Sequence, residues 1–312
     1  MAFPTTAGVP YYQLGAGIRT DFGMILPVGT RAIYVRSTGV QSGDTQAIAE
    51  RLLPTLAAAL SECRSGQNDT VFILPGHSES VTTGDLANLV AGTKIIGLGQ
   101  GGNKPVFRWG ATTSQWAIAV ADVLFQNLRL RLEGAVVVKA IAVTAADVTF
   151  DSCEFETASG ASNYAALGIE LGTGADRCTI SNCRFRGKTA TAVTQVISTA
   201  GTAQTGFRIL DTDIVAPGHA TTGLISIGNA ATEMLFANLR LYNTVAASTC
   251  TINLADFASD GLLVNIDSGT KNDGTVTAQG IIFGTSTVVM TSRCFCVDQV
   301  KKNSTLSPAA GT

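Results

Sequence analysis

The stretch Val148-Thr149-Phe150-Asp151-Ser152-Cys153-Glu154-Phe155 is followed, 30 residues on, by Cys178-Thr179-Ile180-Ser181-Asn182-Cys183-Arg184-Phe185. Both read apolar, polar, apolar, then a polar pair, then apolar, charged, apolar. The alternation is that of a strand, with period two. The polar pair in the middle is a turn signal, because Ser and Asn bond their own backbone. Each stretch therefore reads as strand, polar corner, strand.

The same frame extends outward from this pair. Val123-Leu124-Phe125, Phe207-Arg208-Ile209, Met234-Leu235-Phe236 and Leu262-Leu263-Val264 are apolar at their first and third positions. Counted between third positions, the spacings run 25, 30, 29, 27 and 28 residues from Phe125 to Val264. Ile96 and Ile73 extend the series backwards and Met290 extends it forwards. The sum is about eight turns of a repeat of about 27 residues. At the corner stand Asn127, Ser152, Asn182, Asp211 and Asn238, predicted to stack as an internal amide-and-hydroxyl ladder. The second strand turns Leu128, Cys153, Cys183, Thr212 and Leu239 inward, and Leu130, Phe155, Phe185, Ile214 and Leu241 two places later.

Such a unit cannot bury its apolar face alone, but stacked units can, each strand pairing in parallel with its equivalent one turn away. An antiparallel sandwich also gives short strands, but no matching column chemistry from repeat to repeat. The fold class is therefore all-β, a right-handed parallel β-helix solenoid. Between the inward positions of the second strand lie Arg129, Glu154, Arg184, Asp213 and Arg240, alternating in sign at every step. Arg131, Glu156 and Arg186 alternate again two residues on. Equivalent side chains one turn apart are close neighbours, so opposite signs are favoured. The spacing predicts a structural charge ladder.

Four regions follow. Residues 1–30 form an extended N-terminal arm outside the repeat, with Phe3, Tyr11, Tyr12 and Phe22 as partner-binding groups. Residues 31–70 carry a strand (31–36, RAIYVR) and a helix over about residues 45–63. Asp44 is its N-cap, Ile48, Leu52, Leu56 and Leu60 form its apolar stripe, and Pro54 kinks it. This helix is predicted to cap the first coil, since an open parallel edge invites aggregation. Residues 71–297 are the β-helix and 298–312 a polar tail.

Composition limits function. The chain has 312 residues and a formal charge of −2; 46% of its residues are apolar, 14% are charged and 33 are Gly. A nucleic-acid partner is not expected, because phosphate backbones need clustered Lys and Arg. No run of about 18 apolar residues suggests a membrane helix, and MAFPTTAGVPYY lacks the pattern of a secretory signal. Seven cysteines with irregular spacing, Cys294 and Cys296 as a CxC among them, read as reduced small hydrophobes.

Neither a metal nor a cofactor is expected. Gly97, Gly99 and Gly102 match a dinucleotide fingerprint formally, but Asn103-Lys104-Pro105 leads into a strand where a helix is required. His77, between Gly76 and Ser78, reads as a polar turn residue, as does His219 in Pro217-Gly218-His219-Ala220. Glu154, Glu156, Asp151 and Asp213 are the carboxylates open to glycan chemistry. Flanking arginines should keep Glu154 and Asp213 ionised, and a general acid needs the opposite. Trp109 and Trp116 are the only tryptophans available to stack sugars. No catalytic residue is assigned.

With this coil in view, the chain resembles the right-handed parallel β-helix proteins, the pectin-lyase-like superfamily that includes phage tailspikes. More narrowly, the block from Asp44 through Val71-Phe72-Ile73-Leu74-Pro75-Gly76-His77-Ser78-Glu79 to Val90-Ala91-Gly92-Thr93-Lys94-Ile95-Ile96-Gly97-Leu98-Gly99 resembles proteins encoded among bacteriophage virion genes. Their β-helices are similar to head-decoration or cement proteins. The resemblance implies a homotrimer that binds a major capsid or other virion protein, assembled in the host cytoplasm, without enzymatic activity. The other implied function is a tailspike-type module that binds or cleaves a polysaccharide.

Overall fold

The computed structural model describes residues 13–14, 17–19, 25–27, 29–42, 44, 48–49, 51–133, 136–157, 164–187, 195–199, 203–218, 222–228, 231–245, 248, 250–254, 260–270, 280–283, 288–292 and 294–298. Phe3, Tyr11, Tyr12, Phe22, His219 and residues 299–312 of the tail lie outside them. Within the arm, Gln13–Leu14, Gly17–Arg19 and Ile25–Pro27 form a three-stranded antiparallel sheet.

The rest is a parallel β-solenoid with three faces. The first face stacks Lys94–Gly97, Val123–Gln126, Val148–Asp151, Thr179–Ser181 and Arg208–Leu210, then the first halves of Met234–Asn243 and Asp260–Thr270. The second stacks Val106–Trp109, Arg129–Leu132, Glu154–Thr157, Arg184–Arg186 and Asp213–Ala216, then the second halves of the same two long strands. The third stacks seven strands, from Trp116–Ile118 to Gly280–Phe283. Seven strands are climbed in six steps, so the solenoid makes about six turns. The repeat spacing gives about eight because it counts every first-face step from Thr70–Ile73 to Val288–Ser292, and the coil that starts at Thr70–Ile73 has a turn at residues 83–88 on the way round, not a strand of the third sheet.

The parallel ladder stacks the inward side chains of each face in columns. Phe125 and Phe150 stack with ring centroids 5.1 Å apart, and Phe155 and Phe185 at 4.2 Å and 4°. Trp109 and Trp116 meet edge-on at 5.1 Å in the centre. Each buried aromatic contributes roughly 2–3 kcal/mol by area.

The corner residues explain how one chain makes so sharp a bend. Asn127, Ser152, Asn182, Asp211, Asn238 and also Asn265 all have φ between 48° and 55°. That left-handed region is costly for most residues and cheapest for Gly, Asn and Asp. The corner ladder is on the surface, not internal: Asn182, Asp211, Asn238 and Asn265 are exposed. The next residue, Cys153 or Cys183 for example, already occupies the inward slot.

Three expectations fail on parity. Ile95, not Ile96, pairs with Phe125; Leu263, not Val264, pairs with Phe236; and Met290 pairs with Leu262, so Thr291 takes its place in the column of Phe236 and Leu263. Leu263 is fully buried while Leu262 is 36% exposed. In the uniform runs Ile95-Ile96 and Leu262-Leu263-Val264 no alternation marks the inner face, and a one-residue slip exchanges the two faces.

The helix expectation fails as well. Residues 48–49 are helical, but Leu52–Leu53 is a strand beside Ala32–Val35, and the helix that follows is Leu56–Ser61. Pro54 is the cause: it has no N–H to give and disfavours helical geometry at Leu53. Thr55 is the N-cap, its hydroxyl accepting from Ala58 N at 3.2 Å. Asp44 instead forms a two-pronged ion pair with Arg36 at 2.7 and 3.1 Å. The expected stripe is split. Leu56 and Leu60 enter the main core; Ile48 and Leu52 join a separate cluster outside it.

Candidate functional site

The second face carries the charged columns. Cα partners run Arg129, Glu154, Arg184, Asp213, Arg240 and then Asp267, one per coil. Arg131, Glu156 and Arg186 run beside them. Side-chain contacts follow this register only in part. Glu154 is held by Arg129 at 3.2 Å and by Lys104, two coils away, at 3.1 Å. Asp213 is held by Arg240 at 2.8 Å and by Arg186 from the neighbouring column. Arg184 makes no ion pair among the described residues. Lys104 was missed in the sequence because it lies in the loop before Pro105, outside the repeat.

These contacts fix the protonation states. Burial works to raise Glu154, but hydrogen bonds and charge from Lys104 and then Arg129 outweigh it and hold the carboxyl below its usual range. Burial likewise opposes, and Arg186 and Arg240 overcome, the upward push on Asp213. Asp151 is lowered without any cation. Burial raises it, yet Asn182, Gln126, Ser181 and Ser152 all donate to its two oxygens, at 2.8 to 3.1 Å. All three are ionised acceptors at neutral pH, and none holds the proton a general acid must give.

The corner column is partly a hydrogen-bond ladder. Asn238 Nδ2 donates to Asp211 Oδ1 at 2.8 Å and Asn265 Nδ2 to Asn238 Oδ1 at 3.0 Å. Asn127 Nδ2 donates to the carbonyls of Gly97 and Gly99 at 2.7 and 3.1 Å. A Cβ at Gly97 would sit 2.3 Å from the Asn127 carbonyl oxygen, so glycine here lets two coils approach. Gly101–Asn103 is a short 3₁₀ turn. A second column, at the corner before the first face, was not read from the sequence. Gly92, Asp122, Asp147, Arg177, Gly206 and Glu233 all have positive φ there. Its chemistry varies from coil to coil, so no pattern announces it.

His77 closes a turn, its N donating to the Leu74 carbonyl at 3.2 Å, but the imidazole does not face solvent. Its side chain is fully buried beside Phe107, with ring centroids 5.4 Å apart. Nδ1 accepts from Ser37 N at 3.0 Å, and Nε2 lies 2.9 Å from Glu79 Oε2. With Nδ1 an acceptor, Nε2 carries the proton and donates to Glu79. Glu79 also accepts from Leu56 N at 2.9 Å, so the pair ties the helix to the first coils. Ser78 N donates to Ser37 Oγ, and no nucleophile is offered to this imidazole.

Six described cysteines are free thiols. Burial, first of all, pushes Cys63 and Cys178 up to about 11, which makes them poor nucleophiles. No group of three or more metal-ligating side chains occurs among the described residues. No helix among them is long and apolar enough to cross a membrane. Between the second and third faces lies an almost wholly apolar cleft of about 60 Å³, lined by Trp109, Ile141, Phe155, Phe185 and Val196, with Glu156 and Arg186 its charged members.

Compared with known proteins, the chain matches no family profile, no curated protein and no solved structure.

Proposed function

We propose that this is a non-enzymatic structural protein of a bacteriophage virion, a homotrimeric decoration or cement protein that stabilises the head. The observation that carries the non-enzymatic part is the state of the carboxylates. Glu154 and Asp213 are each held by two cations, and Asp151 by four donors. These groups stiffen successive coils, and networks of this kind are worth more than isolated surface pairs. The virion assignment rests on the resemblance of residues 44–99. The same reading takes the coil as right-handed, counts about eight coils from Thr70–Ile73 to Val288–Ser292, and assigns Leu56–Ser61 as the cap of the first. The residues 1–30 arm, with Phe3, Tyr11, Tyr12 and Phe22, is the part that reaches the major capsid protein.

One observation favours the tailspike alternative. Glu156 lines the apolar cleft beside the stacked rings of Phe155 and Phe185, and aromatics beside a carboxylate suit a sugar. The test is incubation of the purified chain with a panel of bacterial surface polysaccharides, alongside antibody labelling of purified virus particles. The expected result is labelled particle heads and no release of reducing ends. Cleavage that Glu156→Gln abolishes would overturn the structural reading.

A further inference from the structure

The strand Ala32–Val35 is covered unequally on its two edges. On one edge it pairs along its whole length with Thr70–Ile73; on the other, Leu52–Leu53 pairs only with Tyr34 and Val35. Across that second edge Tyr34 N donates to Arg51 O at 3.3 Å and Arg36 N to Leu53 O at 3.0 Å. Alternate N–H groups of a strand point the same way, so Ala32 N points to this edge too. It lies beyond the start of the short strand and has no hydrogen-bond partner there among the described residues. Beside this uncovered stretch is a cavity of about 480 Å³, lined by Arg31, Ala32, Ile33, Arg51, Leu53 and Glu62. Small-molecule sites span about 300–1,000 Å³.

The lining has an apolar part and a charged part. Ile33 belongs to the main core and Leu53 packs against it, so with Ala32 they give the cavity an apolar wall. Arg31, Arg51 and Glu62 are exposed, and none of the three makes an ion pair among the described residues. Elsewhere arginines are matched: Arg36 by Asp44, Arg64 by Asp69, Arg129 by Glu154, Arg177 by Asp147, and both Arg186 and Arg240 by Asp213. Arg184 and Arg208 are unmatched as well, but one stands on the second face and the other on the first. Arg31 is fixed at its root, its N donating to Asp69 Oδ1 at 2.7 Å. The one hydrogen bond of its guanidinium, to the Glu62 carbonyl, is long at 3.4 Å. Two guanidinium groups at one cavity repel each other, and an anion between them relieves that repulsion.

The geometry points to this cavity as a binding site for a small-molecule monocarboxylate with an apolar body. The guanidinium groups of Arg31 and Arg51 and the N–H of Ala32 are the donors that a carboxylate accepts from. Ile33 and Leu53 take the apolar body. The charge of the lining sets the valence: two cations and Glu62 leave one positive charge, which a single carboxylate neutralises and a phosphate dianion exceeds. The site is separate from the charged columns and the cleft of the second face, and it holds whether or not the chain belongs to a virion.

The test is isothermal titration calorimetry on the full chain with octanoate as the probe, at low salt so that the exposed cations are not screened. Octanoate is expected to bind at a single site per chain. Acetate, which lacks the apolar body, and 1-octanol, which lacks the charge, are expected to bind at least about 10-fold more weakly. Octyl phosphate is expected to bind no more tightly than octanoate. Arg51→Ala is expected to weaken octanoate by about 10-fold or more, and Arg31→Gln, which keeps the backbone bond to Asp69, by a similar factor. Arg184→Ala, at an unmatched arginine elsewhere, is expected to leave binding unchanged, and circular dichroism checks the fold of each variant. No binding of octanoate, or binding indifferent to both Arg51→Ala and Arg31→Gln, overturns the site. 1-Octanol as tight as octanoate overturns carboxylate recognition, and octyl phosphate tighter than octanoate overturns the monocarboxylate class.

Discussion

The two ends of the first face solve the same problem differently. At the N-terminal coils, outward Tyr34, Phe72 and Ile96 lie beneath Ile48 and Leu52, with Tyr34 and Phe72 rings 5.8 Å apart. At the C-terminal coils, outward Leu235 and Leu262 have no such cover among the described residues, and Leu262 is 36% exposed. Both ends put apolar side chains on the outside of a coil whose inside is already full. The difference teaches that the outer side of a solenoid is not automatically polar. It is polar only where nothing packs on it, as at Gln126, Asp151 and Ser181.

The comparison can be broken by truncation. Phe72→Ala is expected to destabilise the fold by about 3–5 kcal/mol, the usual cost of emptying a buried aromatic site. Leu235→Ala is expected to cost under about 1 kcal/mol, because Leu235 is only half-buried. Denaturant melts of both variants measure this; equal losses would mean that the two ends are covered alike.

A smaller loss, about 3 kcal/mol, is expected for Asp69→Asn near the covered end. Asp69 has a fully buried side chain that accepts from Arg31 N at 2.7 Å and from Arg64 N, Nε and a terminal nitrogen at 2.8 to 3.1 Å. The amide replaces an acceptor by a donor facing donors.

Acid sharpens the contrast further. Asp44, Asp69, Asp147, Asp151, Glu154 and Asp213 are all held below the usual carboxylate range, for Asp44 and Asp147 chiefly by hydrogen bonds from Arg36 and Arg177. A lowered native pKa adds stability that is complete above the unfolded value of about 4 and is lost as pH falls through the native one. The melting temperature is therefore expected to be flat from about pH 7 to 5 and to fall steeply below about 4. A rise in stability below pH 4 would contradict these assignments. The smallest effect, under about 1 kcal/mol, is expected for Arg240→Ala, whose side chain is 62% exposed beside Asp213.

Much of this architecture was legible because columns of like chemistry recur. Asn127, Ser152, Asn182, Asp211 and Asn238 mark the bend in five successive coils, and counting from them finds Asn265, 27 residues after Asn238, and the correct parity of Leu263. Parity was lost at Ile95-Ile96 and Leu262-Leu263-Val264 because both faces are apolar there. Those runs lie in the covered and uncovered outer patches themselves. The carboxylates of the charged columns were legible from alternation. The reach of Lys104 across two coils to Glu154 and the crossover of Arg186 to Asp213 were not, because long side chains choose partners by geometry that spacing does not encode. The helix was overextended because its period was read through Pro54. The turn at His77 is legible from Pro75-Gly76, but the burial of its ring is not, because Phe107 reaches it from the next coil.

The homo-oligomer proposed above can be tested at the uncovered end of this face in one measurement. A photo-crosslinking side chain is placed at Leu262, and in a parallel sample at Thr149, which lies in the same outward column over the polar middle. Both are irradiated at the same concentration and resolved by denaturing electrophoresis. A ladder of whole-number multiples of the chain mass is expected from position 262 and only the single chain from position 149. Monomer alone from position 262, or equal ladders from both, would contradict the account.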